Sequence, residues 1–114
     1  MALTKDFREN IMERAKRDPA YRQQLLTRGI GLLLSGDGEE DLHVGKSFIR
    51  DYINATIGFP MLAQRTSIPK ESLMRMFSPK GNPSLSNLNI VIHTLLAKEG
   101  GRKQARLNVM LETA

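Results

Sequence analysis

Residues 62–77 read Leu-Ala-Gln-Arg-Thr-Ser-Ile-Pro-Lys-Glu-Ser-Leu-Met-Arg-Met-Phe, and this stretch decides the fold. Its apolar and small positions fall where two short helices joined by a tight turn need them. Leu62 and Ala63 lie in the first helix, Ser67 and Ile68 at the turn, and Leu73 and Met76 in the second. That is helix-turn-helix spacing.

The flanking sequence reads helical in both directions. Thr4 is placed to cap a first helix reaching about residue 17, with Phe7, Ile11 and Ala15 on one stripe. Asp18-Pro19 stops that helix and starts another, because Asp caps and Pro suits the first helical position. The second helix runs to about residue 35, with Tyr21, Leu25, Leu26, Leu32 and Leu33 as core candidates, until Gly36-Asp37-Gly38 breaks it. A third helix, about 39–57, opens with Glu39, Glu40 and Asp41, which suit the positive end of its dipole. Val44, Phe48, Ile49 or Tyr52, and Ile53 keep its apolar spacing, and Gly58 closes it in a left-handed position. Pro60 starts the first helix of the motif and Pro69 the second. A loop by composition spans 78–83, and Ser84 is a cap for a last helix to about residue 98, with Leu85, Leu88, Val91 or Ile92, and Leu95 facing inward.

Beyond Gly100-Gly101 the period changes. Leu107, Val109 and Leu111 alternate with Asn108, Met110 and Glu112, which predicts a short strand. A lone strand needs a partner, and the symmetric partner is the same strand of a second copy, so a homodimer joined through Leu107, Val109 and Leu111 is expected. A frayed tail is the alternative. The predicted architecture is therefore all-α, with five or six helices and a short C-terminal strand. An N-terminal helical extension (1–38) packs on a helix-turn-helix domain (39–101), and a tail (102–114) follows.

Composition fits one small domain. The chain has 114 residues, 40% of them hydrophobic, and no cysteine, which excludes disulfides and thiolate metal sites. The longest apolar run, 30–34, is far short of a membrane span, and the N-terminal residues lack the apolar block of a signal peptide, so a cytoplasmic protein without membrane contact is expected. The net charge of +5 is uneven: residues 1–58 hold nine Lys/Arg against nine Asp/Glu. Residues 59–106 hold eight (Arg65, Lys70, Arg75, Lys80, Lys98, Arg102, Lys103, Arg106) against Glu71 and Glu99, an excess of +6. The basic excess thus coincides with the motif, and basic segments supply the phosphate attraction that dominates nucleic-acid affinity.

In such a motif the first helix braces across the DNA backbone and the second presents side chains to base edges in the major groove. Lys70, Glu71, Ser72, Met74 and Arg75 are its exposed positions, since Leu73 and Met76 must pack inward. Lys70 and Arg75 can donate to guanine, Glu71 can accept from cytosine, and Ser72 can do either. Gln64 and Arg65 on the bracing helix, and Lys80 and Asn82 in the loop, are candidates for phosphate oxygens, which fix register. Simple solvation is the competing explanation for each.

Other signals carry less. Asp37, Glu39 and Asp41 imitate the start of a calcium loop, but Leu42 replaces its glycine and Phe48 its bidentate glutamate. His43 and His93 have no second ligand at metal spacing. Met61, Met74, Met76 and Met110 suit gap-filling core positions. No nucleophile–base arrangement, phosphate loop or metal cluster is visible, so neither catalysis nor a cofactor is expected.

Residues 62–76, followed by Gly81-Asn82-Pro83-Ser84-Leu85-Ser86-Asn87-Leu88 and the helix to Leu96, resemble the lambda-repressor-like, Cro/C1-type helix-turn-helix domain. Pro69 stands where such domains commonly carry a Ser cap, and Ser67 where they commonly carry Gly. Met1-Ala2-Leu3-Thr4-Lys5-Asp6-Phe7, Arg17-Asp18-Pro19, Arg50-Asp51-Tyr52-Ile53-Asn54-Ala55-Thr56-Ile57-Gly58-Phe59 and Pro79-Lys80-Gly81-Asn82-Pro83 resemble the addiction-module antidote proteins. These are small antitoxins and autoregulators, often prophage-associated, paired with a RelE/ParE-like toxin. The resemblance implies an operator-binding repressor of a toxin–antitoxin system, acting as a dimer. It also gives the N-terminal helices a possible use in holding a toxin, beside their default role of packing on the core. A protein-interaction module with the same fold and a nonspecific nucleic-acid binder are the alternatives.

Overall fold

A computed structural model describes residues 5–100. The expected cap Thr4, Met110 and the expected strand residues Leu107, Val109 and Leu111 lie outside the described residues. Six helices follow in order: α1 Lys5–Arg17, α2 Pro19–Ser35, α3 Glu39–Ala55, α4 Phe59–Thr66, α5 Lys70–Met76 and α6 Leu85–Gly100. The fold is all-α, and the described residues contain no strand.

The α1–α2 corner forms as its sequence dictates. Asp18 takes an extended backbone, its carboxylate accepts the Tyr21 N–H at 3.2 Å, and Pro19 fills the first helical turn. The Arg14 guanidinium lies 4.2 Å from the centre of the Tyr21 ring and 3.8 Å from the Asp18 carboxylate, closing the corner from outside. α1 is seated by its C-terminal half, where Ala15 is fully buried with Leu25 and Ala55, and Ile11 and Met12 pack alongside. Phe7, expected on the same stripe, is half-exposed two turns earlier.

α2 and α3 cross at two glycines. A Cβ on Gly45 would stand 2.9 Å from the Gly29 carbonyl oxygen, and one on Gly29 would stand 2.8 Å from Cγ1 of Ile49. Neither position tolerates a side chain without separating the helices. This contact fixes which face of α3 turns inward. Gly45, Ile49, Tyr52 and Ile53 are buried, whereas Val44, expected in the core, is exposed. Ile49, Tyr52 and Ile53 lie inward as expected and Phe48 packs against the smaller cluster, while Gly45 takes the inward position in place of Val44 and contributes close approach rather than apolar surface.

The main core joins all the helices after α1. Leu26 and Ile30 of α2 and Ile49, Tyr52 and Ile53 of α3 pack with Phe59, Leu62, Ile68, Leu73, Met76, Phe77, Val91, Leu95 and Leu96. Each fully buried Leu or Ile contributes about 1.5–3 kcal/mol of transfer free energy. α6 begins after Ser84, whose hydroxyl accepts the Asn87 N–H at 3.1 Å. Leu85, expected inward, is 79% exposed. Side chains in a first helical turn lean toward the N-terminus, past the end of the core, so inward packing starts one turn later with Leu88.

Candidate nucleic-acid interface

α4 and α5 are joined by the three residues Ser67, Ile68 and Pro69. Ser67 adopts the left-handed conformation (φ 59°, ψ 25°), and its N–H donates to the Ala63 carbonyl at 2.9 Å. A non-glycine residue there costs roughly 1–2 kcal/mol, which the surrounding packing must offset. That packing is Ile68, buried directly after the turn. The Thr66 hydroxyl donates to the Leu62 carbonyl and accepts the Ile68 N–H, holding the chain as it leaves α4. Pro69 precedes α5, and its carbonyl accepts the Leu73 N–H at 3.0 Å.

The burial of Leu73 (0% exposed) and Met76 (6%) sets the rotation of α5. Its other face carries Lys70, Glu71, Met74 and Arg75, all exposed, with Ser72 half-buried at the edge. Met74 is therefore a surface residue, as is Met61 on α4, and of the methionines expected to fill the core Met76 alone among these three does so. Gln64 and Arg65 are exposed near the end of α4, and Lys80 and Asn82 are exposed in the loop. Among the described residues, ion pairs join Arg14 to Asp18 and Arg22 to Glu99, and neither draws on these cations.

The loop after α5 is tightly bound to the body of the protein. Ser78 donates through both its N–H and its hydroxyl to the Arg75 carbonyl, and the Gly81 N–H donates to the Ser78 carbonyl at 3.0 Å. A Cβ on Gly81 would overlap the Arg75 carbonyl oxygen, so this close return of the chain requires glycine. From α3, Nη1 of Arg50 donates to the Phe77 carbonyl at 3.2 Å, and Nζ of Lys46 donates to the carbonyls of Pro79 (3.2 Å) and Gly81 (2.9 Å). The loop thereby brings Asn82 to Ser72 and Arg75, which together with Ser84 and Asn87 line a groove of about 200 Å³. Lys70, Glu71, Gln64, Arg65 and Lys80 do not line that groove.

Two other polar clusters hold the scaffold. Glu99 of α6 accepts hydrogen bonds from Tyr52 Oη (2.6 Å), Arg22 Nε (2.8 Å) and Gln23 Nε2 (3.3 Å), while Arg22 Nη1 donates to the Ala15 carbonyl. Burial disfavours the Glu99 carboxylate, but the donors outweigh it and hold its pKa below the usual range. Burial, with the hydrogen bond to Glu99 and its negative charge, pushes the Tyr52 phenol well above its ordinary value. Asp51 is buried, and desolvation raises its carboxyl despite the opposing charges of Arg50 and Arg8.

Sequence reading missed Lys46, Arg50 and the Glu99 cluster as scaffold elements, and Ser84 and Asn87 as lining of the groove beside α5. Lys46 counts in the sequence only as one charge of a balanced half, and Arg50 as a charge and as part of a stretch resembling the antidote proteins. Among the described residues, no group of three or more His, Asp or Glu side chains is placed to hold a metal ion, and no helix is long and apolar enough to cross a membrane. No known protein family, curated protein or solved structure matches the chain.

Proposed function

We propose that this chain is a non-catalytic cytoplasmic regulator that binds operator DNA sequence-specifically. The observation that supports it is the outward face of α5. Burial of Leu73 and Met76 leaves Lys70, Glu71, Ser72, Met74 and Arg75 on a short helix directly after a three-residue turn. In this reading α4 braces across the backbone and α5 enters the major groove, where those residues meet base edges. Gln64, Arg65, Lys80 and Asn82 contact phosphates on either side. The local charge supports the same assignment, since the excess of +6 lies in 59–106.

The protein acts as a homodimer on an inverted repeat with half-sites roughly 34–36 Å apart, and occludes the promoter it covers. From the family resemblance, it is the antitoxin and autorepressor of a module with a RelE/ParE-like toxin. A gel shift on fragments of its own upstream region tests the DNA reading. A regulator holds its site at least ~10³-fold more tightly than random duplex. Equal affinity for both would make it a nonspecific binder. No shift on any duplex would favour the interaction-module reading. Co-expression with the neighbouring reading frame tests the toxin: a stable complex and rescue of growth are expected.

A further inference from the structure

The geometry points to Lys46 as the residue that positions the loop for DNA, holding Lys80 and Asn82 beside α5. This inference rests on the DNA reading above.

Lys46 is only 7% exposed, which is unusual for lysine, and its ammonium donates to the carbonyls of Pro79 and Gly81. Those two residues bracket Lys80, so one buried cation pins the backbone on both sides of an exposed one. Hydrogen bonds from a charged donor are stronger than neutral ones. Lys46 and the loop residues Gly81, Asn82 and Pro83 line a partly open cavity of about 150 Å³ together with Leu33, Leu42, Phe77 and Leu88. The ammonium thus ties the loop backbone to α3 beside the cavity that both of them line. Arg50, one turn along α3, pins Phe77 in the same way at the end of α5. The recognition helix and the anchoring loop are thus referenced to one rigid element, α3. Contacts preorganised before encounter need no ordering when the duplex arrives.

A double-mutant cycle tests this, with the wild type, Lys46→Met, Lys80→Ala and their combination titrated with duplex from the upstream region. If Lys46 acts through the loop, Lys46→Met, which removes both of its hydrogen bonds, weakens binding by about tenfold, and by under about threefold once Lys80 is already Ala. Lys46→Arg, which keeps a charged donor, retains most of the affinity. An equal loss in both backgrounds would mean that Lys46 acts by its own charge or through overall stability, and would overturn the inference. So would no loss at all.

Amide exchange in the free protein separates this from failure of the DNA reading. Lys46→Met should speed exchange at the Gly81 N–H while core amides keep their protection. Unchanged exchange at Gly81 refutes the clamp whatever the DNA result. Faster exchange without any binding by the wild type would refute the recognition role and leave a structural one. Lys46→Gln, with a neutral donor, takes the same tests if the methionine variant fails to fold.

Discussion

The phenol of Tyr52 donates a 2.6 Å hydrogen bond to the carboxylate of Glu99, tying the last turn of α3 to the last turn of α6. Arg22 and Gln23 bring α2 to the same carboxylate, and Arg22 reaches on to the end of α1. One acidic side chain thus gathers four helices at the end of the bundle, and it is half of the acidic content of the basic 59–106 segment. Its charge belongs to the scaffold, leaving the motif's face with Glu71.

Glu99→Gln should destabilise the fold by about 1–3 kcal/mol near neutral pH, because charge-assisted hydrogen bonds become neutral ones around a part-buried group. The pH dependence follows from the lowered carboxyl pKa. The folded chain binds this proton more weakly than the unfolded chain does. The stabilisation is therefore complete above the ordinary glutamate value of 4.5 and is lost as pH falls through the lowered folded value. Thermal melts from pH 7 to 2.5 should show the wild type losing its advantage over the variant in that acid limb. Parallel curves would exclude Glu99 as the titrating group.

Asp51 should behave in the opposite sense. Burial raises its carboxyl, so folding favours the protonated form, and its contribution is best below the unfolded value of 3.8 and declines as pH rises through the folded one. Asp51→Asn, neutral at every pH and similar in shape, is expected to match or exceed the wild-type melting temperature at pH 7. The difference should vanish near pH 3. A variant that melts well below the wild type at pH 7 would mean that attraction to Arg8 and Arg50 outweighs desolvation.

Gly45→Ala sets helix propensity against packing. In a free helix the change is worth about 1 kcal/mol in favour of alanine. Here the new methyl would stand 2.9 Å from the Gly29 carbonyl and 3.0 Å from the Leu32 Cβ. Overpacking of this kind costs about 1–3 kcal/mol, and a clash with backbone cannot be relieved by a rotamer change. A net loss of stability in urea unfolding is expected, and a gain would show that α2 and α3 can separate at little cost.

How much of this was legible in sequence depends on whether the signal was local. The Asp18-Pro19 corner, the Ser84 cap, the six helices and the inward pair Leu73 and Met76 rest on neighbours within one or two turns, and all are found. Of the expected inward positions of α3 only Val44 fails, because Gly45 takes its place by meeting a glycine sixteen positions away, and glycine adds nothing to an apolar stripe. Lys46 was invisible for a similar reason. Its acceptors are carbonyls 33 and 35 residues later in a loop, and backbone acceptors leave no trace in side-chain identity. The exposed set on α5 followed from its buried partners Leu73 and Met76.

Arg75 and Lys80 should fail differently when truncated. Arg75 sits on α5 and lines the groove with Ser72 and Asn82, whereas Lys80 stands on the loop away from that groove. A base-reading arginine contributes at one position of the site, so Arg75→Ala should cost about 1–3 kcal/mol on the preferred operator and relax selectivity at one base pair. A phosphate contact contributes on every sequence and releases counterions. Lys80→Ala should therefore weaken all duplexes alike and flatten the dependence of log K on log salt by roughly one unit. Binding measured for both variants against an operator set substituted at each position, at several salt concentrations, distinguishes them. Unchanged sequence preference in Arg75→Ala would remove it from the reading set, and an unaltered slope in Lys80→Ala would make that residue a spectator.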